Sequence, residues 1–214
     1  MQTDMTVGKP MKMILDFTIP VFIGNVFQQF YNMADAIIVG KFVGTKGLAA
    51  VGSTGTIMFL IIGFLTGLTA GFTVLTSQKF GAGKMDEMRQ SVGNAAILSI
   101  IISMIMTAVS MVGMRALLTL MHTPEDIFND AYTYIMIICG GIFAQVLYNI
   151  LASILRALGN SKTPLYFLIL AALLNVALDL IFIIAFHMGV AGAAWATITA
   201  QGVSGALCLV YIIK

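Results

Sequence analysis

TPLYFLILAALLNVALDLIFIIAF, residues 163–186, is the stretch on which the fold turns. It holds one ionisable residue, Asp179. As a helix rising ~1.5 Å per residue it extends about 36 Å, enough to cross a hydrocarbon core of about 30 Å. The reading is therefore a membrane span that carries an acid inside it.

Working outward, residues 48–78, 90–114, 131–155 and 188–213 are runs without any Asp, Glu, Lys or Arg. Residues 13–40 qualify as a further span if Asp16 and Asp35 are tolerated. The chain as a whole is 59% hydrophobic and 9% charged, with mean hydropathy +1.00. A soluble domain carries about a quarter charged residues, so this composition excludes a water-facing surface. The expectation is an all-α, polytopic membrane protein whose six helices, approximately 13–40, 48–78, 90–114, 131–155, 163–186 and 189–213, make one unit over 1–214. The first run is read as a retained helix, because Pro20, Asn25, Gln28, Gln29, Asn32 and Asp35 interrupt it and it exceeds the length of a signal-peptide core.

Charge distribution orients the helices. Lys9, Lys12, Lys79, Lys84, Arg89, Arg156, Lys162 and Lys214 fall on one side of a six-span arrangement, and Lys41, Lys46 and Arg115 on the other. By the positive-inside rule both termini are expected in the cytoplasm, with the protein in the cell membrane. Turn formers sit where helices must stop, in Phe-Gly-Ala-Gly at 80–83 and Leu-Gly-Asn-Ser-Lys-Thr-Pro at 158–164. Thr123, Pro124 and Glu125 signal a helix start. The second run is long for one span, so residues 48–55 are read as a bent or interfacial lead-in. Gly63, Gly67 and Gly71 recur every four residues and are read as a groove for close helix packing.

Other chemistries lack their residues. Cys139 and Cys208 lie in apolar runs without redox or metal spacing. His122 and His187 fall near helix ends without ligand-spaced partners, so no metal site is expected beyond a possible sodium ion. No nucleophile with a matched base and no phosphate loop points to an enzyme or a cofactor. No basic patch interleaved with aromatics points to nucleic acid.

What remains is polarity inside the spans. An ionisable residue at mid-membrane costs roughly 2.5–3.5 kcal/mol on insertion scales, so it is expected to face a cavity and function there. At 100° per residue, Asn25, Gln28, Gln29, Asn32 and Asp35 fall within a stripe of about 120° on the first helix. On the fifth, Asn175 and Asp179 lie one turn apart. The sixth adds Thr197, Gln201 and Ser204, and the fourth adds Gln145, Tyr148, Asn149 and Ser153. Four helices thus carry polar seams that together suit a water-filled cleft. Desolvation and mutual repulsion both oppose two bare carboxylates, so Asp35 and Asp179 sharing a proton would suit proton coupling. Sodium would instead take both acids ionised, with neutral oxygens from Asn175 and Thr197. Pro20 removes one backbone hydrogen bond early in the first helix and is a candidate hinge.

Several segments together resemble the multidrug and toxic compound extrusion transporters. They are Ile-Pro-Val at 19–21, Tyr-Asn-Met-Ala-Asp-Ala-Ile-Ile-Val-Gly at 31–40, Leu-Ala-Ala-Val-Gly at 48–52 and Phe-Gly-Ala at 80–82. Arg-Ala-Leu-Gly-Asn-Ser-Lys-Thr-Pro at 156–164, Asn175 with Asp179, and Gly-Val-Ala-Gly-Ala-Ala-Trp-Ala-Thr at 189–197 complete the set. The resemblance implies an N-terminal six-helix lobe whose cation-responsive cluster is Asp35, Asn175, Asp179 and Thr197, with Pro20 as the bending proline of helix one. It implies export of small amphipathic or cationic drugs by alternating access, driven by protons or sodium. Members of the family have two such lobes, and this chain stops after one. Either it is a piece of a longer protein or two copies associate. Two other readings stand beside this one. A lipid-linked sugar flippase of related fold would be expected to line its cleft with basic residues, and no Lys or Arg lies mid-helix. A noncatalytic membrane scaffold would leave the buried acids unexplained.

Overall fold

The computed structural model describes residues 10–213, which are almost wholly helical and contain no strand. In order these are α1 (Pro10–Phe42), α2 (Thr45–Ser53), α3 (Gly55–Gly81), α4 (Met85–Leu120), α5 (Glu125–Gly140), α6 (Ile142–Ala157), α7 (Lys162–Leu180), which runs on through a π-helical turn (Ile181–Ala185), and α8 (Val190–Ile213). Five helices are long and apolar enough to cross a membrane, and α5 with α6 makes a sixth if that bent pair is one span. Large apolar side chains such as Phe59, Met104, Val112 and Leu173 point outward, Val112 being 87% exposed. Such a surface is stable against lipid, where water would penalise it. Lys9 and Lys214, used in the charge count, lie outside the described residues.

Helix ends differ from those expected. The third span begins at 85 rather than 90 and reaches 120 rather than 114, and the fourth begins at 125 rather than 131. Charge-free runs measure the part of a helix that lipid covers, whereas the helices continue past it. Asp86 and Glu87 open α4, and Glu125 and Asp126 open α5, each favoured by the positive end of the helix dipole. Lys79 and Lys84 both pair with Glu87, tying the α3–α4 turn.

Three spans are also interrupted. The expected lead-in at 48–55 corresponds to α2, which stops at Thr54, where the hydroxyls of Ser53 and Thr54 bond back to the carbonyls of Ala50 and Val51 at 2.7 Å. The fourth span was expected to be continuous over 131–155, yet it bends by 48° between α5 and α6. The break is at Gly140–Gly141, where a Cβ on Gly141 would lie 2.3 Å from Ile198 of α8. The close passage of α8 demands a residue without a side chain, and a glycine pair supplies little resistance to bending. Thr107 of α4 donates to the Cys139 carbonyl at 3.1 Å beside the break. The π turn after α7 carries a bond from Phe186 N to Ile181 O at 3.1 Å, and Gly192 of α8 fits against Phe182 and Ile183 there.

Helix α8 is the hub. It packs on α5, α6 and α7, while α1 lies mainly against α7. Its inward face is small: Gly192, Ala193, Ala194, Ala196, Ala200 and Gly205 are all buried. A Cβ on Gly205 would meet the Tyr148 backbone nitrogen at 3.1 Å, so α6 and α8 approach at backbone distance. The groove expected at Gly63, Gly67 and Gly71 is not used in this way, since nothing lies within 4 Å of any of those positions. The small-residue face that packs this lobe is on α8.

The Gly141 break yields a test. Gly141→Ala is expected to destabilise the fold by about 1–3 kcal/mol through overpacking, and Ile198→Ala in the same chain to restore most of it. Thermal unfolding in a fixed detergent measures both, and an unshifted single variant would show that α8 does not press on the break.

Candidate functional site

Helix α7 lies between α1 and α8, and its buried face carries Leu168, Ala171, Asn175 and Asp179. Asn175 and Asp179 have no exposed surface, and Asp35 of α1 and Thr197 of α8 are nearly as buried. The four residues expected to form a cluster are thus brought together from three helices. The carboxyls of Asp35 and Asp179 are near neighbours. Two carboxyls in that relation need a proton or a cation between them, because bare charges there would repel at low dielectric.

The remaining bonds are few. With its amide nitrogen turned toward the acid, Asn175 donates to Asp179 Oδ2 at 3.1 Å and accepts from the Thr197 backbone N–H at 3.3 Å. Asp35 Oδ1 and Asp179 Oδ1 are buried without a partner. No Lys, Arg or His pairs with either acid among the described residues. Two tyrosines complete the surroundings: Tyr31 lies near Thr197 and the acids, and buried Tyr134 of α5 lies near both acids. Tyr31 sits one turn before Asp35, so helical spacing could have drawn it into the cluster. Tyr134 had no such signal, because only the packing of α5 on α8 brings it in.

A cavity of about 170 Å³ opens between α1, α3, α6, α7 and α8. Asn25, Gln28, Gln145, Tyr148, Asn149 and Gln201 line it, with Pro20 at its edge. Gln29 and Asn32 do not, and instead Asn32 donates to Gln29 at 3.2 Å on an exposed part of α1. Of the other seam residues, Ser204 bonds to the Phe167 carbonyl at 3.0 Å and so joins α8 to α7, and Ser153 is buried in α6. Gln201 Oε1 is buried with no partner. Gln145 and Gln201 also border a void that reaches Thr197 but has no room for a water. The cavity and the acid cluster are therefore adjacent, separated by a closed constriction that Ile138, Gly141 and Ile198 also border. Pro20 is buried within an unbroken α1.

One lining residue was not expected at a cavity. Arg156, read from sequence as a charge outside the spans and as the start of the 156–164 segment, is the second-last residue of α6 and lines the cavity with Ser161. The turn after it is firmly built. Gly159 takes φ +80°, Asn160 N bonds to Leu155 O at 2.9 Å, and the Asn160 side chain accepts from Thr163 N at 3.1 Å.

Comparison with known proteins places these features. The chain matches the MatE family model over residues 20–181. It is 35% identical over 211 residues to a probable multidrug resistance protein of Bacillus subtilis, YpnP, covering 99% of this chain and 47% of that protein. It is 28% identical to a probable multidrug resistance protein, NorM, of Thermotoga maritima, covering 94% and 44%. A solved MOP superfamily transporter from Pyrococcus furiosus superposes with TM-score 0.91 at 30% identity, over 96% of this chain and 45% of that one. The chain thus spans slightly less than half the length of the relatives it matches.

The acid cluster predicts a contrast in stability. Asn175→Ala strands Asp179 Oδ2 and is expected to cost about 1–3 kcal/mol. Asn32→Ala, whose bond is exposed, is expected to stay within about 0.5 kcal/mol of the parent. Equal thermal shifts for the two variants would show that Asn175 does not hold the acid.

Proposed function

We propose that this chain, which belongs to the MatE family, works as one lobe of a cation-coupled exporter of small amphipathic molecules in the cell membrane. The observation that carries the reading is the pair of neighbouring buried carboxyls, Asp35 and Asp179, each with an oxygen that no protein group satisfies. A membrane-buried acid pair left open in this way is costly as mere packing, and suits a site that takes up and releases a proton or a sodium ion. The two carboxyls themselves supply oxygen ligands, which either ion accepts. The adjacent cavity, lined by amides and reached through a constriction, suits a substrate that is held while the cation site changes occupancy.

Coupling then follows from linkage. A cation that favours one conformation and a substrate that favours the other exchange across the membrane, and each weakens the other's hold to the same degree. Asn175 and Thr197 orient the Asp179 carboxyl, and Pro20 is the point at which α1 bends. On this reading both termini face the cytoplasm, as the positive-inside rule favours, and a second lobe, joined to this one or supplied by a second copy, completes the substrate path. The flippase alternative is not favoured, since the family model and the relatives it matches are those of probable multidrug resistance proteins.

Reconstituted vesicles test the proposal with a fluorescent amphipathic dye and imposed proton or sodium gradients. The chain alone is compared with the chain joined to a second lobe. Asp35→Asn and Asp179→Asn are each expected to lower gradient-driven efflux by roughly 5- to 150-fold, the usual span of coupling free energies. Efflux that persists in both variants would rule out the acids as the coupling site. Efflux by the unjoined chain would mean that two copies suffice.

A further inference from the structure

The cavity has a polarity of its own. Among the described residues it is lined by no Asp or Glu, and Arg156 is the one charged side chain that borders it. No carboxylate pairs with Arg156 among the described residues. The Tyr148 hydroxyl, which lines the same cavity, is already engaged and donates to the Pro164 carbonyl at 3.3 Å. Ser161, at the start of α7, borders the same space, so the positive end of a 19-residue helix adds to the field. Farther in, Gln201 is 93% buried and its Oε1 lacks a donor.

We propose that this cavity binds the anionic head of its substrate, a carboxylate or phosphate-type group held by Arg156 beside Ser161, with a hydrogen-bond donor of the same molecule reaching Gln201. The proposal rests on the reading of the lobe as a transporter and narrows its substrates to amphipaths that carry a negative group. An unpaired guanidinium at the wall of a half-enclosed cavity repels a cationic head and attracts an anionic one. Arginine also offers two parallel donors to such a group, which a neutral amide cannot. A cationic drug would find no counter-charge in this cavity, because the acids lie beyond the constriction at Thr197.

Three ligands that share one fluorophore test it: dansylglycine, its neutral methyl ester, and the ammonium-bearing N-dansylethylenediamine. Each is titrated against the full chain in lipid nanodiscs, with empty nanodiscs subtracted. The parent chain is expected to bind the carboxylate most tightly and the ammonium least. Arg156→Gln is expected to weaken dansylglycine by roughly 10- to 100-fold, the value of a charge-assisted bond, and to leave the ester unchanged. Asn149→Asp, which places a carboxylate in the cavity without touching Arg156, is expected to reverse the order of the charged ligands. Tightest binding of the ammonium by the parent chain, or equal losses of acid and ester in Arg156→Gln, overturns the anion site and leaves the transporter reading standing. Binding of none of the three overturns the reading of the cavity as a substrate site, on which the proposal depends.

Discussion

The close approach of α8 to its neighbours is the constraint on which the lobe depends. Between apolar helices in lipid there is little hydrophobic drive, so contact at short range must come from small side chains and from polar groups that satisfy one another. Helix α8 supplies both on one face. Its alanines and glycines let α6 and α7 come to backbone distance, and Thr197, Gln201 and Ser204 lie on the same buried face. The consequences spread outward. Ile198 forces the glycine break between α5 and α6, and Gly192 accommodates the π turn that follows Asp179. The acid cluster forms because α7 is held between α8 and α1.

How much of this can be read from residues alone follows from which forces are local. The apolar runs declare the spans, because bilayer thickness sets a length that any sequence must meet. The convergence of Asp35, Asn175, Asp179 and Thr197 was foreseen, though from family resemblance as much as from the cost of a buried acid. Breaks and open faces were less legible. Gly140–Gly141 and the Gly63, Gly67, Gly71 series are both glycine patterns, yet one yields to a neighbouring helix and the other meets nothing in this lobe. The difference lies in what stands opposite, which no local pattern contains. The same limit hid Arg156. A cation near a helix end reads as a loop charge, and only the α6–α7 turn places it against the cavity.

The two polar sites have opposite characters, and their separation constrains any coupling between them. Along α7, Pro164 borders the cavity and Asp179 belongs to the acid pair. Pro164, near the start of α7, is about 22 Å from Asp179 along the helix at ~1.5 Å per residue, although the other end of the cavity, at Gln201, is one turn from Thr197. A small molecule held near Arg156 does not compete with a proton at Asp179 for the same atoms. Coupling over that distance must pass through an element that both sites bias.

Helix α1 has the required reach. It carries Pro20, Asn25 and Gln28 beside the cavity, and Tyr31 and Asp35 at the acid cluster. It is also the least embedded of the long helices, lying chiefly against α7 with most of its surface outside the lobe. Moving it disturbs few packed side chains, whereas moving α8 would disturb nearly all of them. Under the proposed coupling, a proton or sodium ion between Asp35 and Asp179 strengthens the hold of α1 on α7, and loss of that ion frees α1 to shift. Because the same helix lines the cavity, such a shift reshapes the substrate site without any contact between ion and substrate. Pro20 lies at the cavity end of α1, where a missing backbone bond makes bending cheapest. Opposed charge preferences then become useful. With the ion's site acidic and the substrate's site basic, neither ligand can occupy the place of the other, and exchange is governed by the position of α1.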